Sequence, residues 1–371
     1  TMKATIFGLG RMGQAIAWAM DTLGHDVTCV DTFPNEFRLT GLIDNFKFIQ
    51  AGKPADYTSI LSDKPDIVIS SMPYHQLWPV ASYCIDNNIR YCDLGGRVDV
   101  SKKINDYASN KKNGKPVFTD LGLAPGWVNI IAEHGIRRMV QADHVKMMVG
   151  GLPQAQNLNP LNYLITWSVD GLINEYRDDC LVLQDGKTKT VPGMDGLESV
   201  NTDELGELEA FYTSGGASHT IHSMKSRGVK NCTYKTLRYK GHRDIIQWLI
   251  RKCKLDDEAL GSLFVSGCET DDKDDLVIVR VELHKEKAMW KHENVVRSDE
   301  HFSAMQKCTA FPIASVADIL TTGKLDDRVV QKRSGEVKLS NCLKYSDIDF
   351  DEFQGNLLLR RLLLHPKTTL L

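Results

Sequence analysis

Residues 8–13 read GLGRMG, three glycines in the order GxGxxG, set directly between an apolar run, KATIF (3–7), and a segment of helical spacing. Each glycine answers its own steric demand. Gly8 permits a tight turn off the strand, Gly10 lets the backbone approach a pyrophosphate, and Gly13 admits close packing of the following helix. That helix is marked by Met12, Ile16, Ala19 or Met20 and Leu23, with Gly24 placed to end it in a left-handed cap. Its first residues, Arg11 and Met12, sit where free N–H groups and a partial positive charge face an anion. The second strand, DVTCVD (26–31), ends in Asp31, 18 residues after Gly13. A carboxylate there accepts hydrogen bonds from the adenosine ribose and repels a 2′-phosphate, which favours NAD; Arg38, close by in sequence, keeps NADP open as the lesser choice.

Beyond this unit, short β-branched runs alternate with helical periods to about residue 125, the pattern of parallel strands joined by crossover helices. DIVISSMP (66–73) is an almost unbroken apolar run of strand length, as a central strand buried on both faces requires. RYCDLG (90–95) and PVFTDLG (116–122) follow as shorter strands. In an open parallel sheet the carboxyl ends of the strands line the ligand crevice, which places Ser71, Met72, Pro73, Asp93 and Asp120 along one edge. Asp120 stands among apolar residues in FTDLGLAPGW (118–127), so it is either paired or functional. Asp93 and Asp120 are the candidate general bases, with a structural Asp120 as the alternative.

From about residue 140 strand-like runs (VKMMVGG, LVLQDGK, LEAFYTSGG, DLVIVRVELHKEK) are separated by Gly-rich or Asp-rich turns, so a second α+β domain on a mixed or antiparallel sheet is expected. The expected division is a nucleotide-binding domain at 1–125 and a substrate and dimerisation domain at 126–301. Helices from about 302 to 371 are expected to pack back on the first. The overall class is α/β, a doubly wound parallel sheet with this second domain attached.

The chain of 371 residues is 42% hydrophobic and 25% charged, enough for sizeable cores, and its net charge of −3 gives no electrostatic case for nucleic acid or an anionic membrane. No apolar run reaches bilayer length and no signal-like segment precedes the first strand, so a cytoplasmic location is expected. Nine cysteines without a CxxC pair read as reduced, structural thiols.

In the second half, TLRYKGH (236–242) packs Arg238, Tyr239, Lys240 and His242 into seven residues. A guanidinium forks onto a carboxylate with two parallel hydrogen bonds, so Arg238 at a strand end is a candidate anchor for an amino-acid carboxylate; surface ion pairing is the alternative for Arg238 and Lys240. His242 and His219 are candidate polar contacts, and Tyr163 and Trp167 candidate walls for an aliphatic stem. His219 and His222 stand three apart, but without a third ligand in view the pair does not make a metal site, and none is expected. DIDFDE (347–352) does not make a calcium loop, because Glu352 and Leu358 occupy the positions where Gly and Glu are needed.

Taken in order, GLGRMGQAIAW, PVFTDLGLAPGWVNIIA, VGGLPQ, NPLNYLITWSVDGLINEY, LEAFYTSGGASHTI and TLRYKGH resemble the saccharopine dehydrogenase family, and within it the lysine 6-dehydrogenase type. The resemblance runs from residue 3 to about 250, with FPIASVADIL (311–320) as a last recognisable helix. It implies a Rossmann domain, a sheet-based second domain that also forms a homodimer, and NAD-linked oxidation at a carbon–nitrogen bond. The lysine 6-dehydrogenase type oxidises the ε-amine of L-lysine to an imine, which is hydrolysed. Saccharopine reductases and carboxynorspermidine dehydrogenases handle secondary amines, generally with NADP. Saccharopine reductases typically carry Asp where this chain has Ala124, in Gly122-Leu123-Ala124-Pro125-Gly126. That departure points to a simpler primary amine. A protein that senses NAD without turnover is the remaining alternative.

Overall fold

Strand β1 (Lys3–Phe7) is buried along almost its whole length and pairs in parallel with strands on both sides. Around it stands a six-stranded sheet in the order β3-β2-β1-β4-β5-β6, with β2 Asp26–Asp31, β3 Lys47–Gln50, β4 Ile67–Ser70, β5 Arg90–Asp93 and β6 Val117–Phe118, every pairing parallel. This is the doubly wound order, and its switch point lies between β1 and β4, where the glycine turn emerges. The structure, a computed structural model, describes residues 1–111, 114–322, 329–333, 336–356, 362 and 367–370.

Helix α1 (Arg11–Thr22) follows the glycine turn and buries Gly13, Ala15, Ile16, Ala17, Ala19 and Met20. It ends where Gly24, at φ +84°, donates to Asp21 O and lets His25 N–H reach Met20 O. Helices α2 (Pro54–Ile60), α3 (Leu77–Asp86) and α4 (Val98–Ser109) supply the other crossovers. Val80, Ala81, Cys84 and Ile85 of α3 and Ile104 and Ala108 of α4 meet Phe7, Val68 and Tyr91 in one apolar core. Strand β6 is shorter than its sequence suggests, because Asp120 turns into the left-handed region at φ +60° and ends the extended run.

Residues Thr1–Trp127 and Thr309–Leu362 form one compact unit; Val128–Cys308 and the strand Lys367–Leu370 form the other. Thr309–Leu362 thus falls in the unit of the first strands, but the C-terminal stretch is not made of helices throughout and its last strand joins the second unit. It holds the helix Ala304–Thr321, a hairpin of Val329–Arg333 and Glu336–Ser340, a short helix Phe350–Gly355, and the strand Lys367–Leu370, which extends the second unit's sheet. The physical reason is β-pairing: the hairpin strands satisfy each other, and the last strand satisfies an open edge. Residues 323–328, 334–335, 357–361, 363–366 and 371 of that expectation, Leu358 of the calcium-loop reading among them, lie outside the described residues.

The second unit is built on β7 (His144–Pro153), which pairs with β12 (Asn231–Arg238) in parallel and with β13 (Asp275–Lys285) antiparallel. Strands β8 (Cys180–Gln184), β9 (Lys187–Val191), β10 (Glu198–Thr202), β11 (Gly206–Tyr212) and β14 (Ala288–Arg297) complete a mixed sheet. Its helices are α5 (from Trp127 to Met139), α6 (Val169–Arg177), α7 (Thr220–Ser226), α8 (His242–Arg251) and α9 (Asp257–Gly267). Leu172, Ile173 and Tyr176 of α6 pack with Phe211, Ile246, Leu260 and Phe264 in a core that also holds Leu161 and Tyr163. No described helix is long and apolar enough to cross a membrane.

Candidate active site

In the first unit the glycine turn is shaped as its three positions require. Gly8 has φ +88° and donates to Val30 O at 2.8 Å, and a Cβ there would sit 3.0 Å from Ser71 C and O. At Gly13 a Cβ would fall 1.8 Å from Gly8 O, so only glycine fits. Gly10 differs: nothing lies within 4 Å of a Cβ built on it. Its exposed backbone forms the N-cap of α1, with no side-chain cap and no acidic residue in the first turn. Open space beside free helix N–H groups is what a pyrophosphate needs, and the residues present fit a dinucleotide. Arg11 is exposed and Met12 half-buried at this end.

Asp31 is built into the turn itself. Its Oδ2 accepts Leu9 N–H at 2.5 Å and its Oδ1 accepts Phe33 N–H at 2.9 Å, so the carboxylate ties the glycine turn to the end of β2. Each oxygen keeps a further lone pair for a hydroxyl. Arg38, whose guanidinium stands over the Phe37 ring at 5.8 Å, is half-buried in the same loop.

At the carboxyl ends of β4 and β5, Ser71 and Met72 are half-buried and Pro73 exposed, while Ser70 and Asp93 are register partners and fully buried. Asp93 Oδ1 accepts two backbone N–H groups, from Gly95 at 2.9 Å and Asp120 at 3.1 Å. Ser70 Oγ, Tyr91 Oη and Asp93 Oδ2 lie buried together without a hydrogen bond of good geometry. Burial, then the neighbouring Asp120 carboxylate, push Asp93 up to about 7, against the pull of the two backbone donors. Asp120 accepts the Ser101 hydroxyl at 2.5 Å, and its own carbonyl accepts Tyr345 Oη–H at 2.6 Å. Gly95 is forced by this arrangement, since a Cβ there would meet Asp120 Oδ1 at 2.2 Å. The two carboxylates are thus brought together, each fastened by its own contacts. Past them the chain turns tightly: Gly122 N–H meets Pro125 O at 2.8 Å, the Ala124–Pro125 bond is cis, and Trp127 is fully buried.

In the second unit Arg238 ends β12 only 3% exposed, so it is no surface ion pair; Lys240 is, bound to Glu207 at 2.5 Å in solvent. The guanidinium lies over the Tyr163 ring at 4.6 Å, and its Nε–H donates to Tyr176 Oη at 3.0 Å. Tyr176 Oη is 3.0 Å from His242 Nε2, and His242 Nδ1 is 2.8 Å from Leu161 O. A carbonyl can only accept, so Nδ1 carries the imidazole proton, Nε2 accepts from Tyr176, and Tyr176 accepts from Arg238. Burial and the adjacent Arg238 charge hold His242 down at about 3, so the ring is neutral. Trp167 Nε1–H donates to Tyr163 Oη at 3.2 Å, and its indole lies against Gly171, where a Cβ would come within 2.5 Å. Arg238, His242, Tyr163 and Trp167 thus form one cluster. His219 stands instead at the N-cap of α7, with Nδ1 3.5 Å from Ser218 Oγ, while His222 is exposed.

Residues 122–334 match the family model described as the saccharopine dehydrogenase C-terminal domain. The chain belongs to the saccharopine dehydrogenase family. Among curated proteins it is similar to the mitochondrial alpha-aminoadipic semialdehyde synthase of Rattus norvegicus, 25% identical over 213 residues, 55% of this chain and 23% of the relative. It is also similar to the saccharopine dehydrogenase [NADP(+), L-glutamate-forming] of Schizosaccharomyces pombe, 24% identical over 201 residues, 52% of this chain and 44% of the relative. The matches thus span less than half the length of these relatives. Among solved structures, the apo histidine-tagged saccharopine dehydrogenase (L-Glu forming) from Saccharomyces cerevisiae shares the fold, with a TM-score of 0.72 at 15% identity and 100% of each chain covered.

Two sets of contacts, one in each unit, carry little local signal in the sequence. Tyr176 and Glu175 belong to the GLINEY segment, where Tyr176 continues the apolar face of Leu172 and Ile173. A glutamate beside that face was the one available sign. Ser101 and Tyr345 reach Asp120 across 19 and 225 positions, which no spacing reveals. Eight of the nine cysteines are buried, all nine are free, and only Cys253 is exposed.

Proposed function

We propose that this chain is an NAD-dependent dehydrogenase of an amino-acid side-chain amine, of the lysine 6-dehydrogenase kind. The observation that carries the proposal is Arg238, a nearly closed-off guanidinium at a strand end. Two of its five N–H donors are engaged, by Tyr176 Oη and Leu237 O. Three are left for a carboxylate, and a buried carboxylate partner is the natural one for a permanently charged guanidinium. Tyr163 and Trp167 offer an apolar wall to an aliphatic stem.

In the first unit, the glycine turn and the N-terminus of α1 hold the pyrophosphate, and Asp31 takes the ribose in preference to a 2′-phosphate. Ser71, Met72 and Pro73 line the rim for the nicotinamide. Bound NAD supplies the hydride acceptor. Hydride leaves a carbon only when the neighbouring nitrogen has a free lone pair, so the ammonium must first lose a proton. Asp93 and Asp120 are the proposed acceptors in this unit, Asp93 being poised near neutrality by burial. Ala124, small where saccharopine reductases typically carry Asp, supports a primary amine. A homodimer in the cytoplasm is part of the same reading.

A second reading, NADP-linked chemistry on a secondary amine, is favoured by the names of the fungal relatives. One assay separates the two: NAD(P)H fluorescence with L-lysine, saccharopine and carboxynorspermidine under each cofactor. NADH and ammonia from L-lysine and NAD⁺ are expected. Reductive coupling of an aldehyde with an amine and NADPH moves the answer to the second reading, and turnover of none of them leaves a nucleotide-binding protein without this activity.

A further inference from the structure

Glu175 follows Asn174 and precedes Tyr176 on α6, half-buried, and its carboxylate makes no hydrogen bond or ion pair with any described residue. Its place is nevertheless fixed. Ser214 N–H donates to Glu175 O at 3.0 Å and Ser214 Oγ to Asn174 O at 3.3 Å, which fastens the 213–218 loop to α6. Thr213 Oγ1 is 2.7 Å from Thr236 Oγ1, fastening the same loop to β12. Thr236 and Arg238 alternate onto one face of β12, and Tyr176, the next residue after Glu175, touches Arg238 directly. The loop, α6 and β12 therefore gather in one neighbourhood a cation with three unengaged donors and a carboxylate that feels its charge without hydrogen-bonding to it.

We propose that Glu175 binds the α-ammonium of the substrate, completing with Arg238 a site for the free α-amino acid end of the molecule. The inference rests on the reading of Arg238 as a carboxylate anchor, and it names the half of the substrate that reading leaves open. An α-amino acid carries both charges on neighbouring atoms, so a guanidinium and a carboxylate close enough to feel each other's charge complement it. A keto acid or a plain carboxylic acid leaves Glu175 unpaired, which is unfavourable in a half-buried place. Burial pushes Glu175 up to about 8, with the Arg238 charge pulling the other way, so at neutral pH the empty site holds a proton there. An ammonium beside the carboxyl favours its charged form, and binding then releases that proton.

The test uses the full chain and L-norleucine, which has the α-amino acid end without a side-chain amine, against hexanoate, which lacks the ammonium. Wild type is expected to prefer norleucine by about tenfold or more, and Glu175→Gln to reduce that preference to about threefold or less, mainly by weakening norleucine. Calorimetry of wild type in two buffers of different ionisation enthalpy should show proton release at pH 7 that fades above about pH 8.5. A preference unchanged in Glu175→Gln, equal loss for both ligands, or no proton release overturns the proposal. If L-lysine is not oxidised while norleucine binding depends on Glu175, the dehydrogenase reading falls and this inference stands. If L-lysine is oxidised and Glu175→Gln leaves the preference intact, the reverse holds.

Discussion

Gly10 and Gly13 stand three residues apart in one turn, yet alanine at each should fail in a different way. At Gly13 the new Cβ must move from 1.8 Å to the 3.4 Å of ordinary contact with Gly8 O, and Gly8 is itself tied to Val30 O at 2.8 Å. Both partners are backbone, so no side chain can swing aside. Overpacking of this kind costs about 1–3 kcal/mol, and a clash this deep belongs at the top of that range. For a unit of this size about 3 kcal/mol lowers the midpoint by about 6–12 °C. At Gly10 the backbone has φ −75° and the Cβ enters open space, so Gly10→Ala should unfold within about 0.5 kcal/mol of wild type. The methyl group instead occupies the space a pyrophosphate needs, and NADH affinity should fall at least tenfold, about 1.4 kcal/mol. Thermal unfolding followed by circular dichroism and titration of NADH fluorescence read the two effects separately. A Gly10→Ala protein that binds NADH like wild type would falsify the assignment of this turn to the pyrophosphate; equal stability losses at both positions would refute the steric argument.

Asp93→Asn keeps an oxygen for the Gly95 and Asp120 N–H groups but cannot ionise. The wild-type carboxyl is raised from 3.8 to about 7, so its contribution to stability is full below about 3.8 and is lost as pH rises through about 7. The midpoint of the variant relative to wild type should therefore climb between pH 4 and pH 7.5, and parallel pH curves would show that Asp93 does not titrate this way. Arg238→Lys retains charge but loses the fork, so KM for the amino acid should rise about tenfold or more with NAD affinity unchanged; equal effects on both would remove Arg238 from the substrate site. His242, held at about 3 against 6.5, contributes stability that is full above about 6.5 and lost as pH falls toward 3. Its ring C2 proton should show a flat NMR shift from pH 8 to pH 5, and a step near pH 6.5 would contradict the Tyr176–His242–Leu161 chain.

The nucleotide-binding half was legible because its constraints are local. GLGRMG, the helix after it and Asp31 lie within 31 residues, and each residue's reason is visible in its neighbours. The exposed Gly10 and the impossible Cβ at Gly13 are those reasons in three dimensions. The second unit was legible only in its named residues. Arg238 stood out in TLRYKGH, but what it touches, Tyr176 and Tyr163, comes from segments 62 and 75 positions earlier in the chain. Asp31 shows a different limit: its type announced a ribose contact, whereas its bonds to Leu9 and Phe33 became visible only when the turn was folded. The last strand was missed because an edge partner is set by the sheet it joins, here β14, and not by its own composition.

The bond from Tyr345 Oη to Asp120 O has a bearing on how the protein is made. The six-stranded sheet is complete once residue 118 has left the ribosome, and the bonds from Gly8 to Val30 and from Leu9 to Asp31 that shape its glycine turn lie within it. Asp120 is another matter, because its carbonyl waits for a hydroxyl 225 residues downstream, and His25, at the start of β2, waits for Asp318 at 3.0 Å. During synthesis a nascent chain can thus own a finished nucleotide turn long before the neighbouring rim at Asp93 and Asp120 has its last fastening. A chain released early, anywhere before Tyr345, would be expected to retain dinucleotide affinity while lacking an ordered rim.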